Sequence, residues 1–472
     1  MQRLFVPTRA TILVFLAAGC SGYQPRPILE KDLLADLQAI QLEALRPVTL
    51  APDPKSPPAA ASPAFNPADG LNADEAVAVA ELLNPTLRAF RKERGVAEGE
   101  LITAGLLQNP ELQVTWLHIE HFTKSFATSG FDIGLNWAPP RPGELGAKQA
   151  RAQARANEVR AEIAAEEWRL AAEVRTAYAA LFAAEERLRL AESSLRLQER
   201  IRQFVRDKRA LGDASSLDVN LVDLEHAETL RERETFLNER DRARLALNRL
   251  LGLPPLYSVR LEDGQDPIAY RAFTLESESL GSLLLEHRPD LLAAREAYEQ
   301  AEQSLRLAYL QRWPWFRFGP AYSRDEIEGQ AGNRWGVGLG IDLPLLNLNQ
   351  GEIARLEAER ERLREGFVAR LHVARAEAND AYRSLRAQER LLRLFDVTVK
   401  PALDENTRLT EAGFEIGEFN LIQIITTQDK VLRTRRELLE AQLEYWEAVF
   451  DLERALGARL PGIEQPTEKG KE

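Results

Sequence analysis

Apolar residues recur every seven positions along two long stretches of the chain. The first stretch carries one row of Ile163, Leu170, Ala177, Ala184 and Ala191 and a second row of Val174, Leu181, Leu188 and Leu195. The second stretch carries Phe367, Ala374, Ala381 and Phe395 against Leu371, Ala378, Leu385, Leu392 and Val399. Interleaving by three and four residues is typical of the a and d positions of coiled coils. About 60 helical residues reach roughly 90 Å, so the pattern predicts rods rather than a compact domain.

Two shorter stretches alternate between apolar and polar residues instead. In "FDIGLNWAPP", residues 131–140, the apolar set is Phe131, Ile133, Leu135 and Trp137. The stretch "RWGVGLGIDLP", residues 334–344, repeats this pattern, and a weaker alternating segment precedes each one. A period of two predicts strands with one apolar face. We therefore expect two β-hairpins, at about 111–138 and 315–343.

The apolar faces of these strands have no predicted core, because the apolar stripes of the helices are used on other helices. A soluble sheet capping a helical rod is one interpretation, and a membrane sheet with an aqueous polar face is the other. Five of the seven tryptophans fall in the hairpin regions, as an aromatic girdle requires: Trp116, Trp137, Trp313, Trp315 and Trp335. Known barrels start at about eight strands, so several copies must contribute. A dimer gives a barrel filled by side chains, whereas a trimer leaves a passage.

The chain also repeats itself. Residues 71–110 align without a gap onto 275–314 at an offset of 204, and 212–252 align onto 417–457 at an offset of 205. One gap over this length indicates a tandem duplication. The first repeat spans 71–252, with long helices at about 145–207 and 215–251. A connector at 253–274 leads to the second repeat, 275–457, with long helices at about 351–411 and 419–456, and 458–472 form a tail.

The N-terminal region predicts export. A basic start and the apolar run "TILVFLAAG" are typical of a signal peptide over residues 1–19. The lone cysteine, Cys20, follows "LAAG", which resembles a lipobox, so acylation of Cys20 is expected; an ordinary signal peptide beside a cysteine is the alternative. Residues 47–70 hold seven prolines in 24 positions, so 20–70 are interpreted as a lipidated arm and linker.

Composition and motifs exclude several functions. The net charge of -12 argues against nucleic-acid binding. The sequence "LHIEH" places His118, Glu120 and His121 together, but in a hairpin loop where a polar surface is the simpler interpretation. No spacing typical of a phosphate loop, a metal site or a catalytic assembly occurs. We therefore expect no cofactor, no metal site and no enzymatic activity.

Several duplicated motifs carry a family resemblance. They are "NPTLRAF" and "RPDLLAA", "GLLQNPELQV" before the first strand, and "RALGDASSLDV" and "FEIGEFNLIQI", each followed about 40 residues later by Leu-Gly. Over 71–457 the chain resembles the TolC-type outer-membrane efflux factors, in the lipoprotein branch that OprM represents. The resemblance implies a homotrimer with a 12-stranded β-barrel in the outer membrane of a Gram-negative bacterium and a periplasmic α-helical barrel. It also implies passive export through docking onto a periplasmic adaptor (membrane fusion) protein and an inner-membrane pump.

The resemblance also implies where function would lie. The adaptor-docking tip would comprise Arg209, Leu211, Gly212, Ser215, Phe414, Ile416 and Gly417. Relatives carry acidic rings after the second glycine turn, whereas this chain has Gln423 and Thr426 there, with Asp429 further along and Asp218 in the first repeat, which predicts a polar pore gate. A periplasmic coiled-coil lipoprotein acting as adaptor or scaffold is the alternative function. The sequence does not discriminate between drugs, metal ions and proteins as cargo.

Overall fold

A computed structural model describes residues 23–42, 70–120, 127–262, 266–272, 275, 277–327, 330–403, 405–406, 408–409 and 421–460. The chain divides into two compact units, Met1–Arg46 and Pro47–Glu472. Helix α1 (Glu30–Gln38) lies in the first unit and buries none of its residues. The predicted signal peptide, Cys20 and all of the proline-rich linker except Gly70 lie outside the described residues.

The second unit contains two consecutive sets of similar elements. The first set is α2 (Ala73–Leu83), α3 (Pro85–Arg91), α4 (Glu93–Gly105), β1 (Glu111–Glu120), β2 (Ala127–Asn136), α5 (Glu144–Leu211) and α6 (Ser216–Leu251). The second set is a 3₁₀ turn (Ser277–Ser279), α7 (Leu280–His287), α8 (Pro289–Leu310), β3 (Trp315–Ile327), β4 (Gln330–Asp342), α9 (Gln350–Leu394), a π-helical turn (Phe395–Val399) and α10 (Leu421–Leu456). Helix α5 has 68 residues and is therefore about 100 Å long. No helix among the described residues combines the length and the apolar character needed to cross a bilayer.

Equivalent hydrogen bonds organise the two repeats. The hydroxyl of Tyr178 donates to the carbonyl of Leu71 at 2.8 Å, and that of Tyr382 donates to the carbonyl of Leu275 at 3.2 Å. Each bond joins a long helix to the residue that opens its repeat. The members of both pairs lie 204 positions apart, which is the offset of the sequence alignment. The duplication predicted from sequence is thus present in the contacts.

The Leu-Gly signature that ends each repeat has a steric cause. Gly252 and Gly457 adopt φ values of 75° and 71°, a region that L side chains rarely enter. A Cβ atom would lie 2.7 Å from the Leu83 carbonyl oxygen at the first glycine and 2.8 Å from the His287 carbonyl oxygen at the second. Each glycine therefore lets a repeat's last helix end against the kink between its first two helices.

A large apolar cluster among the described residues surrounds α10, which packs on α9, α7 and α5. Tyr445 and Leu452 are fully buried there. The connector crosses the same helix, because the hydroxyl of Tyr445 donates to the Arg271 carbonyl and Nε1 of Trp446 donates to the Ala269 carbonyl at 3.1 Å. The core therefore lies midway along the rods, where the two repeats meet.

A buried ionic network ties the ends of this unit together. The guanidinium of Arg175 on α5 lies 3.4 Å from Glu453 on α10 and 3.4 Å from Asp74 on α2. Asp74 also pairs with Arg459 at 2.6 Å. Burial raises the pKa of Glu453, and the nearby arginines oppose that shift. Removing one partner of a buried pair leaves an uncompensated charge and costs about 3–5 kcal/mol.

Glu81 lies beside this network and makes the stability of the fold depend on pH, which can be tested. Burial and the neighbouring Glu167 raise the pKa of Glu81 from 4.5 to about 7. The folded state therefore binds more protons than the unfolded chain between these values, so Glu81 makes stability fall as pH rises through that window. We expect Glu81→Gln to raise the thermal unfolding midpoint in detergent at pH 7.5 and to change it little at pH 4.5. The exposed Glu365→Gln is the matched control, and a gain independent of pH would contradict this account.

Candidate functional site

The four strands form one antiparallel sheet in the order β1-β2-β3-β4. Apart from Leu117 and Trp315, their register places the large apolar residues on one face: Leu112, Val114, Trp116, Phe131, Ile133, Leu135, Phe316, Phe318, Tyr322, Trp335, Val337, Leu339 and Ile341. The opposite face holds Gln113, Thr115, Asp132, Asn136, Ser323 and Arg334 among glycines. The sheet is therefore amphipathic across its thickness, as the alternation predicted.

The apolar face is open in a single chain. Trp335 is 81% exposed, Val337 79% and Trp116 72%. Monomeric soluble proteins rarely expose a contiguous apolar area of this kind, and larger patches mark an interface with protein or membrane. Outward apolar residues with polar residues behind them are the arrangement of membrane β-barrels.

Aromatic residues occur at two levels of this face. Trp116 packs edge-on against Phe131 with ring centroids 6.0 Å apart, and Tyr322 lies 4.6 Å from Trp335. Trp137 directly follows β2, six residues or about 20 Å from Phe131, and packs edge-on against Phe318 at 5.7 Å. Aliphatic side chains fill the interval, as in an apolar band bounded by aromatic girdles.

Trp313 and Trp315 lie at the junction between helix and sheet. The Arg141 guanidinium stacks 4.3 Å from the centroid of the Trp315 ring, and its Nε donates to the Trp313 carbonyl at 3.3 Å. Trp315 pairs with Asp342, and its place in the alternation puts it on the polar face. Because Trp315 alternates with Phe316 and Phe318 along β3, the sequence pattern alone could have shown that it lies on the other face. Assignment of the five tryptophans to a girdle stays a prediction.

The polar face is shallow and has a depression of about 430 Å³, whose lining includes Gln113, Thr115 and Asp132. Arg334 forms an ion pair with Asp325, and Arg317 pairs with Asp342 at 2.8 Å. Three glycines on β4 alternate with the apolar residues, so no side chain projects from this face at those positions. Such a surface suits contact with water rather than with an apolar core.

At the far end of α5 the chain reverses in a tight turn. Gly212 adopts φ 89° and ends the helix, and the Ser215 hydroxyl accepts from the Asp218 amide to begin α6. Hydrogen bonds from the Ser215 hydroxyl and amide lower the pKa of Asp218. Arg209 donates to the Ala214 carbonyl at 3.0 Å, whereas Leu211 is 79% exposed. The tip residues of the first repeat therefore form a single hydrogen-bonded turn. Asp218 also caps the start of α6.

The described start of α10 packs on this first hairpin. Ile425 contacts a cluster of Ile201, Val205 and Val222. The three gate candidates on α10 make local contacts, since the Thr426 hydroxyl donates to the Gln423 carbonyl at 3.2 Å and Asp429 pairs with Arg433 at 3.4 Å. Phe414, Ile416 and Gly417 lie outside the described residues. The docking and gate assignments stay predictions.

One neighbour of the gate candidates, Glu225, was missed by the sequence reasoning. Burial, Glu228 and Asp429 together raise the pKa of Glu225, so a carboxylate of α6 lies near Asp429. His226 Nε2 lies 2.9 Å from Glu199 on α5. Glu225 follows Asp218 by seven residues, a helical spacing that could have indicated it. Across the described ranges, no group of three or more histidine, cysteine or acidic residues could hold a metal ion.

Comparison with known proteins identifies the architecture. The model of the outer membrane efflux protein family matches residues 77–253 and 280–458. The chain belongs to the outer membrane efflux protein family. Its predicted fold class, outer-membrane location and efflux function are thereby confirmed. Channels of this type are trimers that dock with periplasmic adaptors and inner-membrane pumps.

Individual relatives support the family assignment. The chain is 24% identical over 394 residues to the cobalt-zinc-cadmium resistance protein CzcC of Cupriavidus metallidurans, covering 82% of this chain and 90% of that protein. It is 26% identical to the outer membrane protein OprJ of Pseudomonas aeruginosa over 61% of each chain. A membrane protein crystal structure from Pseudomonas aeruginosa superimposes with a TM-score of 0.68 at 20% identity, over 87% of this chain and 100% of that one. At that identity the superposition shows the fold alone.

Adjacent positions on β4 provide a test of the two faces. Val337→Arg places a charge on the apolar face, which costs about 2–4 kcal/mol at the middle of a bilayer. Gly336→Arg places the same residue on the polar face, where a Cβ meets nothing within 4 Å. We expect Val337→Arg to reduce the fraction recovered in outer membranes and Gly336→Arg to leave it unchanged. Equal effects of both changes would contradict the assignment of the faces.

Proposed function

We propose that this chain is one subunit of a trimeric exit duct that passes cargo across the outer membrane without chemical conversion, acting as a channel rather than an enzyme. The observation that carries this proposal is an amphipathic sheet whose outer strands β1 and β4 have no further strand beside them among the described residues, joined to a helix about 100 Å long. Only closure into a ring satisfies such edges within lipid. Three copies supply a barrel wide enough to leave a passage.

The helices beneath the sheet support the same closure. Helix α5 packs on α4 on one side and on α8 on the other, and α8 packs in turn on α9. Helix α8 buries eight residues, among them Ala293, Leu305 and Leu307, whereas its repeat equivalents α3 and α4 together bury only Leu87 and Ala97. Thus α4 lacks the neighbour that α8 has. The missing contact is between α9 of one copy and α4 of the next.

Exposed apolar residues mark both sides of this seam. Ile102 is 68% and Leu106 66% exposed at the end of α4, next to the edge strand β1. Leu345 is 79% and Leu346 96% exposed between the edge strand β4 and α9. Joining β4 to the neighbour's β1 brings these two groups to the same end of the barrel. Association between copies would remove them from water.

Cysteine cross-linking tests the seam. In a Cys20→Ser background, we expect Leu106→Cys combined with Leu346→Cys to give covalent dimers and trimers with a bis-maleimide in outer membranes. Either single variant, and Leu106→Cys paired with Leu256→Cys on the connector, should give no such ladder. A product that remains at monomer mass would contradict the proposed trimer.

The cargo proposal rests on the relative that spans most of the chain. Similarity to a cobalt-zinc-cadmium resistance protein over 82% of this sequence favours divalent metal cations as the cargo of the complete system. We expect deletion of the encoding gene to increase sensitivity to cobalt, zinc or cadmium, with restoration by the wild-type chain. Increased sensitivity to hydrophobic antibiotics alone would refute the cargo class while retaining the duct. An unchanged phenotype towards both would count against export in that host.

A further inference from the structure

One arginine lies on the apolar face of the sheet. Arg324 is directly opposite Phe131 in the ladder between β2 and β3, and directly opposite Asn333 in the ladder between β3 and β4. Residues that are directly opposite in adjacent strands share a face of the sheet, so Arg324 shares the apolar face with Phe131. Of the side chains on this face that the structure describes, Arg324 alone carries a permanent charge.

This arginine lies near the end of the sheet that is remote from the helices. Arg324 is three residues, or about 10 Å, from Ile327, where β3 ends. Along the sheet it is level with the edge-on pair of Trp116 and Phe131. A charge on the lipid face of a barrel is costly at the middle of the bilayer and tolerated near the interface. The guanidinium is therefore at the level of the lipid headgroups in the leaflet remote from the helices.

The guanidinium of Arg324 is not neutralised by the part of the protein that the structure describes. The side chain is exposed and forms no hydrogen bond or ion pair with these residues. On the opposite face, by contrast, Arg334 pairs with Asp325, and Arg317 pairs with Asp342. A guanidinium has five N–H donors and no acceptor. All of these donors face the surroundings of the sheet.

Asn333 supplies further donors beside Arg324. The hydroxyl of Tyr322 donates to Oδ1 of Asn333 at 3.1 Å, so the carbonyl end of this amide is held by the protein. The other end of the amide is an NH₂ group with two donors. Asn333 is exposed on the strand next to Arg324. The two side chains together form a patch of N–H donors, and a group with several acceptor oxygens would complement it.

Aromatic rings adjoin this patch on the side towards the middle of the sheet. Tyr322 and Trp335 are directly opposite each other, two residues along the strands from Arg324 and Asn333, and their ring centroids are 4.6 Å apart. Trp335 is exposed on the same apolar face. A fitting ligand therefore combines an anionic group at the donors with apolar chains over the rings. Guanidinium groups bind phosphate oxygens through two parallel N–H···O bonds, and an anionic lipid with a phosphate headgroup has both parts.

We propose that Arg324 and Asn333 bind the headgroup phosphate of an anionic membrane lipid, at one site per subunit on the lipid-facing side of the sheet. The exposed ring of Trp335 favours a phosphate carried by a lipid over free phosphate, because only the lipid covers the ring. This inference goes beyond the proposed duct. It requires that the apolar face contact lipid, and it does not depend on the cargo or on the passage.

Native mass spectrometry of the full-length trimer in detergent tests the site, with phosphatidic acid as the probe and phosphatidylcholine as the reference lipid. We expect one phosphatidic acid per subunit to bind about tenfold more tightly than the reference, and Arg324→Gln to abolish this preference. Arg324→Lys should retain a weaker preference, because lysine keeps the charge and loses the two parallel bonds. Arg334→Gln is the matched control; it removes the same charge from the opposite face and should keep the preference of the parent.

Two results would overturn the proposal. One is an equal preference for phosphatidic acid in the parent and in Arg324→Gln, or an equal loss in Arg324→Gln and Arg334→Gln, which would indicate attraction by net charge alone. The other is displacement of phosphatidic acid by excess inorganic phosphate, which would indicate a site for the free anion. The same spectra give the subunit number. A parent that is monomeric and retains the Arg324-dependent preference would refute the trimeric duct and leave the lipid site intact, so the two failures are distinguishable.

Discussion

Backbone pairing at the edges of the sheet is the constraint on which the rest of the molecule depends. Strands β1 and β4 each have one row of amide and carbonyl groups with no neighbouring strand in the described sheet, and in hydrocarbon each unpaired group costs several kcal/mol. The apolar face requires lipid, and lipid forbids open edges. These two demands together select a closed ring built from several chains. The long helices continue that ring away from the membrane, and their unequal burial in the two repeats follows from where one chain ends and the next begins.

Because the structural unit is duplicated, both halves of the chain form their parts of the ring with the same contacts. The tyrosine bonds to Leu71 and Leu275 and the glycine contacts at Leu83 and His287 recur because the same unit occurs twice. Departures from equivalence are therefore informative. The Arg175 network has no counterpart at the same positions of the second repeat, where 379 and 380 hold asparagine and aspartate. The π turn likewise distinguishes two otherwise similar helices.

The sequence predicted the elements well because their causes are local. Heptads specify the rods, alternation specifies the strands, and Gly212 or Gly252 marks a helix end whatever lies elsewhere in the chain. Partners distant in sequence were not predictable. Arg175 and Glu453 are 278 residues apart, and nothing local distinguishes them from the other charged residues that cover the rods. The π-helical turn at Phe395–Val399, where the Lys400 amide donates to the Phe395 carbonyl, likewise had no local signal in the sequence.

The Arg175 network also has a consequence for the order in which this protein matures. A polypeptide that crosses the inner membrane from its N-terminus delivers Arg175 to the periplasm long before Glu453 and Arg459 follow. Until then the guanidinium lacks its buried carboxylate partner and favours hydration over packing. The first repeat can therefore bury Arg175 with its full set of partners only once α10 and the residues after it are present.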